Sequence, residues 1–192
     1  VKYCSLCGAP VEQRVPDGDN LPRHVCGQCG TIHYTNPKVV VGCIPRWEDR
    51  ILLCRRAIEP RLGLWTLPAG FLENEETTIE GAMRETLEEA SARVEVKDLY
   101  TLFNLPHVNQ IYVMFLGDLL DLDYGPGPES LEVDLYREEE IPWDRIAFPV
   151  VEQTLRLFYE DRRRGSFGVH TGDIRRLPGE GRVYDIRMLK GR

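Results

Sequence analysis

Gly70-Phe-Leu-Glu-Asn-Glu-Glu76-Thr77-Thr-Ile79-Glu80-Gly-Ala82-Met83-Arg84-Glu85-Thr86-Leu87-Glu88-Glu89-Ala90-Ser91-Ala92 is the stretch from which the rest of the chain is read. Thr77 and Glu80 have the Ser/Thr-x-x-Glu spacing of a capping box, which predicts a helix starting there. Ile79, Ala82, Met83, Thr86, Leu87 and Ala90 recur at helical intervals and are the expected buried stripe. On that helix Glu85, Glu88 and Glu89 fall together on the roughly opposite side. Like charges at such spacing destabilise a helix by about 0.2–0.5 kcal/mol per pair. A bound divalent cation would remove the repulsion, and an oxygen-only ligand set suits Mg2+ or Mn2+. The competing reading is a solvated acidic face.

Gly70, Glu76, Arg84, Glu85, Glu88 and Glu89 match the Nudix box, Gly-x5-Glu-x7-Arg-Glu-U-x-Glu-Glu-x-Gly-U with U aliphatic, so the chain resembles a Nudix hydrolase. Thr86 and Ala92 stand where larger aliphatics are usual, and Ser91 where glycine is usual. The resemblance implies an α+β fold, a Nudix α/β/α sandwich with a mixed sheet. It implies Mg2+ or Mn2+ on Glu85, Glu88 and Glu89, with the Gly70 carbonyl as an extra ligand. It also implies that Arg84 and Glu76 orient the loop and the catalytic helix. Pairing of Arg84 with Glu80 or Glu88 is the structural alternative.

Upstream, Cys4-Ser-Leu-Cys7-Gly8 and Cys26-Gly-Gln-Cys29-Gly30 are two Cys-x-x-Cys-Gly knuckles separated by residues 8–25. Cys4, Cys7, Cys26 and Cys29 fit a closed four-thiolate Zn2+ site, which leaves no open position for catalysis. So short a segment lacks an adequate core, and metal binding would supply its folding energy. It resembles a zinc ribbon. Redox chemistry is the competing use of the motif. Cys43 and Cys54 lie in apolar runs and are expected in the core.

The expected organisation is a ribbon over 1–36, a Nudix domain over 37–164 and a basic C-terminal tail over 165–192, disordered or ordered by a partner. Strands are expected at 39–44, 51–55, 93–103 and 110–119, and a helix over 150–163 buries Val151, Leu155 and Phe158. Trp65 is expected in the core or at its rim. The resemblance implies a general base that is either a box glutamate or one from a downstream loop; Gly125-Pro-Gly-Pro128 is a loop that could carry Glu132, or its neighbour Glu129, to the metals for that role, and an exposed loop carboxylate is the alternative.

A formal charge of −7 argues against nucleic-acid binding through a basic surface, although bound cations would still admit an anionic substrate. No run is apolar enough to span a bilayer and no secretory signal is evident, so a cytoplasmic location without membrane contact is expected. Family precedent implies a homodimer.

NADH pyrophosphatases also carry a ribbon before the Nudix domain, but their Ser-Gln-Pro-Trp-Pro-Phe-Pro-x-Ser signature is absent from the corresponding segment, residues 103–112. Residues 84–95, the Gln110-Ile-Tyr-Val113 strand and residues 125–132 are similar to plant plastid FAD/ADP-ribose pyrophosphatases. The implied reaction is cleavage of a nucleoside diphosphate linked to another moiety, releasing AMP. Phe103 and Tyr112 are candidates to stack on the substrate's adenine or flavin. The alternatives are an NADH pyrophosphatase or NAD-cap RNA hydrolase, a ribbon-based nucleic-acid-binding module, or a Nudix fold used as a sensor.

Overall fold

The computed structural model of the protein describes residues 1–179 and 183–189. Two compact units divide the chain, residues 1–37 and 38–192.

In the first unit, β1 (Val11–Arg14) and β2 (Arg23–Cys26) form an antiparallel hairpin, and β3 (Ile32–His33) pairs with β2. A turn at Pro16–Gly18 follows β1, with the Asp19 amide donating to the Pro16 carbonyl at 3.1 Å. Cys4, Pro16, Val25 and Cys26 are the buried apolar side chains here, while Leu6, Val15, Leu21 and Tyr34 are exposed. That is too little apolar burial to hold the unit alone, which agrees with the need for a metal.

The second unit is built from β4 (Lys38–Trp47), β5 (Arg50–Arg56), β6 (Trp65–Thr66), β7 (Ala69–Phe71), α1 (Thr78–Ala90), β8 (Val94–Leu105), β9 (Gln110–Leu119), β10 (Ser130–Tyr136), α2 (Pro149–Arg164), β11 (His170–Arg176) and β12 (Tyr184–Leu189). Among the described residues these strands form one mixed sheet in the order β10-β5-β4-β9-β8-β11-β12, with β6 on β5 and β7 on β4. β4 runs parallel to β9, and β8 is antiparallel to β9. Alternation along the central strands feeds two cores. Cys43, Leu52 and Cys54 pack with Ala82 and Ala90 of α1, whereas Ile44 and Leu53 pack with Leu155 and Phe158 of α2. The helices therefore cover opposite faces of the sheet, the expected α/β/α sandwich. Trp65, 5% exposed, lies in the α2-side core.

The C-terminal segment corrects the sequence reading. In place of a disordered tail, β11 joins β8 in parallel register from His170↔Thr101 to Asp173↔Asn104, and β12 pairs with β11. Ile174 is buried, and Tyr184, Ile186 and Met188 alternate inward against the core. The buried Asp161 carboxylate secures the junction, accepting from Tyr100 Oη at 3.1 Å and lying 2.6 Å from His170 Nε2. Residues 180–182 and 190–192 of the expected tail lie outside the described residues.

Candidate active site and metal centre

Helix α1 starts where its capping box predicts. Thr77 Oγ1 accepts from the Glu80 amide at 3.2 Å, and the Glu80 carboxylate accepts from the Thr77 amide at 2.7 Å. The buried face differs from the expected stripe. Ala82, Thr86 and Ala90 are buried, but Ile79, Met83 and Leu87 are exposed, and Glu85 and Glu89 are only 8% and 6% exposed. The helix is rotated from an apolar-in orientation so that two carboxylates face the protein, while Glu88 stays in solvent. Hydrophobic periodicity misassigned this face because it takes every carboxylate as solvated. Thr86 occupies its aliphatic position at little cost, since its hydroxyl donates to the Ala82 carbonyl at 2.8 Å and lies 3.2 Å from Cys43 Sγ. Ser91 ends the helix in the left-handed region, φ 49°, where glycine is usual.

Arg84 is fully engaged. Its guanidinium donates to Glu76 at 2.7 and 3.0 Å, to Glu85 at 2.7 Å, to Glu88 at 3.1 Å and to the Phe71 carbonyl at 3.1 Å. Of the two alternative partners, Glu88 is met and Glu80 is not, because the latter serves the cap. Arg84 holds the Glu76 carboxyl down at about 2, helped by the Glu73 amide. Burial raises the Glu85 carboxyl despite Arg84, and pushes Glu89 up to about 8 against the Ala69 amide that donates to it at 3.2 Å.

Gly70 lies against this pair. A Cβ built there would sit 2.3 Å from both Glu85 carboxylate oxygens, so only glycine lets the carboxylate lie on the β7 backbone. The 125–128 loop docks on the end of the helix, its Gly125 and Gly127 amides donating to the Ala90 and Glu89 carbonyls at 2.9 and 3.0 Å. It delivers Glu129, whose charge raises both Glu85 and Glu89. Glu132, placed first for that role by the sequence, sits further along β10, half exposed, and accepts from Arg55 at 3.3 Å. The loop brings across the neighbour instead.

Phe103 is 0% exposed within the α2-side core, so its ring cannot stack on a ligand, and that expectation is corrected. Tyr112 is half-buried; burial raises its phenol, while Arg56 lowers it and Glu89 raises it, which puts it beside the carboxylates. Arg56 was given no role by the sequence, where it only closes the apolar run 51–54. It reaches Glu89 and Tyr112 electrostatically, a placement that depends on tertiary folding.

In the other unit the Sγ atoms of Cys4, Cys7, Cys26 and Cys29 lie within 4.8 Å of one another, with 3.6 Å between Cys4 and Cys29 and 3.5 Å between Cys7 and Cys26. Tetrahedral sulfurs at a Zn–S distance of about 2.3 Å stand roughly 3.8 Å apart. The cysteines are unbridged and their crowded thiols titrate apart: the Cys7 and Leu6 backbone amides bring the Cys4 thiol down to about 5, whereas Cys7, against the Ala9 amide, is pushed up to about 12 by the Cys26 and Cys29 thiols. Gly8 and Gly30, the residues after each knuckle, have positive φ, 74° and 73°, where glycine is favoured. Cys43 and Cys54 are buried core residues. No helix among the described residues is long and apolar enough to cross a membrane.

The NUDIX domain profile matches residues 36–154, and the zinc ribbon described as Nudix N-terminal matches residues 2–35. The crystal structure of a NUDIX hydrolase from Nitrosomonas europaea is 56% identical, covers 92% of this chain and 100% of its own, and superposes with a TM-score of 0.89. The NAD-capped RNA hydrolase NudC of Edwardsiella ictaluri is 32% identical over 83% of this chain, and the chain spans 59% of that relative's length. The ADP-ribose pyrophosphatase of Methanocaldococcus jannaschii is 31% identical over 60% of this chain and 69% of its own length. With its box residues set along α1 and against the Ala69-Gly70 backbone and its four cysteines converged, the chain belongs to the Nudix hydrolase family and carries that family's N-terminal zinc ribbon.

Proposed function

We propose that this protein hydrolyses the diphosphate bridge of a nucleoside diphosphate linked to a second moiety, of the FAD or ADP-ribose class, releasing AMP with the help of Mg2+ or Mn2+. The observation that carries this reading is the burial of Glu85 and Glu89 side by side against the Ala69-Gly70 backbone. Burying two carboxylates costs several kcal/mol per ion unless a cation compensates them. Arg84 serves one of them, and a hard divalent cation would serve both. The donor set therefore fits Mg2+ or Mn2+, with Glu85, Glu88 and Glu89 as ligands and the Gly70 carbonyl beside them. Such cations neutralise a diphosphate, polarise its phosphorus and acidify water.

The chain's own residues position that chemistry. Arg84 ties the helix to the 71–76 loop through Phe71 and Glu76, holding Glu85 against Gly70. Glu129, carried in by the docked loop, is the carboxylate we assign to take the proton of the attacking water, in place of Glu132. Tyr112 offers a half-buried ring beside the carboxylates for the substrate's base. In the ribbon, Zn2+ on the four cysteines is structural.

A second reading, hydrolysis of NADH or of an NAD cap on RNA, is favoured by the similarity to NudC and breaks the same kind of bond. Against it stands the segment between β8 and β9, where residues 106–108 make a short 3-10 turn in place of the proline-rich signature. AMP release from FAD, ADP-ribose and NADH, with and without Mg2+, ranks the readings. Metal-dependent cleavage of FAD or ADP-ribose above NADH, lost by at least about 100-fold in Glu89→Gln, is expected. NADH as the fastest substrate would favour the second reading, and no AMP from any of the three would defeat both.

A further inference from the structure

Arginine accounting around the carboxylates separates one guanidinium from the rest. Arg84 spends all of its nitrogens on Glu76, Glu85, Glu88 and Phe71, and Arg55 is turned to the Gly63 carbonyl and Glu132. The Arg56 guanidinium makes a single hydrogen bond among the described residues, from Nε to the Pro60 carbonyl at 2.9 Å. One face of its guanidinium lies over the Phe148 ring, Cζ 5.2 Å from the centroid. It is held by its inner nitrogen and by one face, and its two terminal nitrogens have no hydrogen-bond partner among the described residues. That is the planar fork that suits a phosphate.

Its position is fixed from several sides. The Arg56 amide donates to the Leu64 carbonyl at 2.9 Å, and its carbonyl accepts from Gly63 at 2.8 Å. Arg56 pairs with Ser130 across β5 and β10, and the next amide, Ala57, donates to the Glu129 carbonyl at 2.8 Å. The Ser130 amide reaches Gly127, and that glycine's amide reaches the Glu89 carbonyl, so two short links join Arg56 to the catalytic helix. A site of several carboxylates with an arginine fork left unspent at its edge is arranged to receive an anion between them.

We infer that Arg56 grips the substrate's diphosphate, on the side of the site facing the carboxylates of α1, and so selects substrates by that group. This rests on the diphosphate-hydrolase reading above and adds to it the protein cation that recognises the scissile group. Phe148 and Pro60 act through Arg56 as positioning groups.

The test is kinetic, on the full chain with free Mg2+ held constant. Arg56→Gln is expected to raise KM for ADP-ribose about 10- to 100-fold, the loss typical of a charged hydrogen bond. Inhibition by inorganic pyrophosphate should weaken by the same factor, while inhibition by adenosine stays as in wild type. Arg56→Lys should fall between the two, and guanidinium chloride at millimolar concentration should restore part of the activity of Arg56→Ala. An unchanged KM in Arg56→Gln, or equal weakening of pyrophosphate and adenosine, would overturn the assignment. Equal weakening would mean that Arg56 only props the 57–64 loop. If wild type released no AMP from any compound, the functional reading would fail by itself. Calorimetric binding of pyrophosphate to wild type and Arg56→Lys would then still decide whether this residue holds a diphosphate.

Discussion

The four cysteines and the helix glutamates are both read as metal ligands, yet the chain prepares them in opposite ways. The ribbon sulfurs converge within 4.8 Å, on knuckles set by backbone turns at Gly8 and Gly30. The carboxylates do not converge. Glu85 leans on Arg84, Glu88 reaches the same guanidinium from solvent, and Glu89 takes the Ala69 amide. A ligand set whose metal holds a coreless unit together is closed and complete. A set whose metal must meet substrate is held by protein partners in a framework that stands without it, and leaves positions open.

The largest way to break this comparison is to remove one sulfur. In Cys26→Ser, zinc content should fall to near zero and hydrogen-exchange protection in residues 2–35 should collapse, because structural zinc supplies about 10–16 kcal/mol in comparable small units. β4 and β9, which have their own core, should keep theirs. Retained protection in the ribbon would mean that its fold does not rest on the metal.

On the carboxylate side, Gly70→Ala places a methyl where the Glu85 carboxylate lies. A cost of about 1–3 kcal/mol in urea unfolding is expected, together with weaker divalent-cation binding. Unchanged binding of Mn2+ would show that the close approach of Glu85 to this backbone is incidental.

A smaller effect separates scaffold from ligand. Arg84 holds Glu76 at about 2, below its ordinary value, so its contribution to stability is present above about pH 4.5 and is lost as pH falls towards 2. The gap in urea midpoint between wild type and Glu76→Gln should therefore be widest near neutral pH and close in acid. A gap constant with pH would mean that the Arg84 pairing contributes nothing to folding.

How far the sequence could be read follows from the same contrast. Ligand spacing on a short, turn-rich ribbon is local, so the paired Cys-x-x-Cys-Gly knuckles are enough to predict the cluster. The capping box at Thr77 and Glu80 is equally local, and it set the start of α1. The direction of that helix's buried face is tertiary. Ile79, Met83 and Leu87 read as core, yet they are exposed, because the sheet accepts Glu85 and Glu89 in their place. The C-terminal strands were missed for a related reason. The Gly- and Arg-rich composition of 165–192 outweighed the two-residue alternation of Tyr184, Ile186 and Met188, and pairing with β8 supplies the partner that composition cannot show. The choice of Glu129 over Glu132, the placement of Arg56 and the burial of Phe103 likewise depend on which strands neighbour β5 and β9, which no local pattern encodes.

The most direct test of the central claim is a Mn2+ titration followed by electron paramagnetic resonance, on wild type and on Glu85→Gln/Glu89→Gln, with zinc content measured on the same samples. Saturable Mn2+ binding in wild type, its loss in the double variant and unchanged zinc in both are expected. Equal Mn2+ binding by the two proteins would contradict the assignment of the α1 carboxylates as the catalytic metal site.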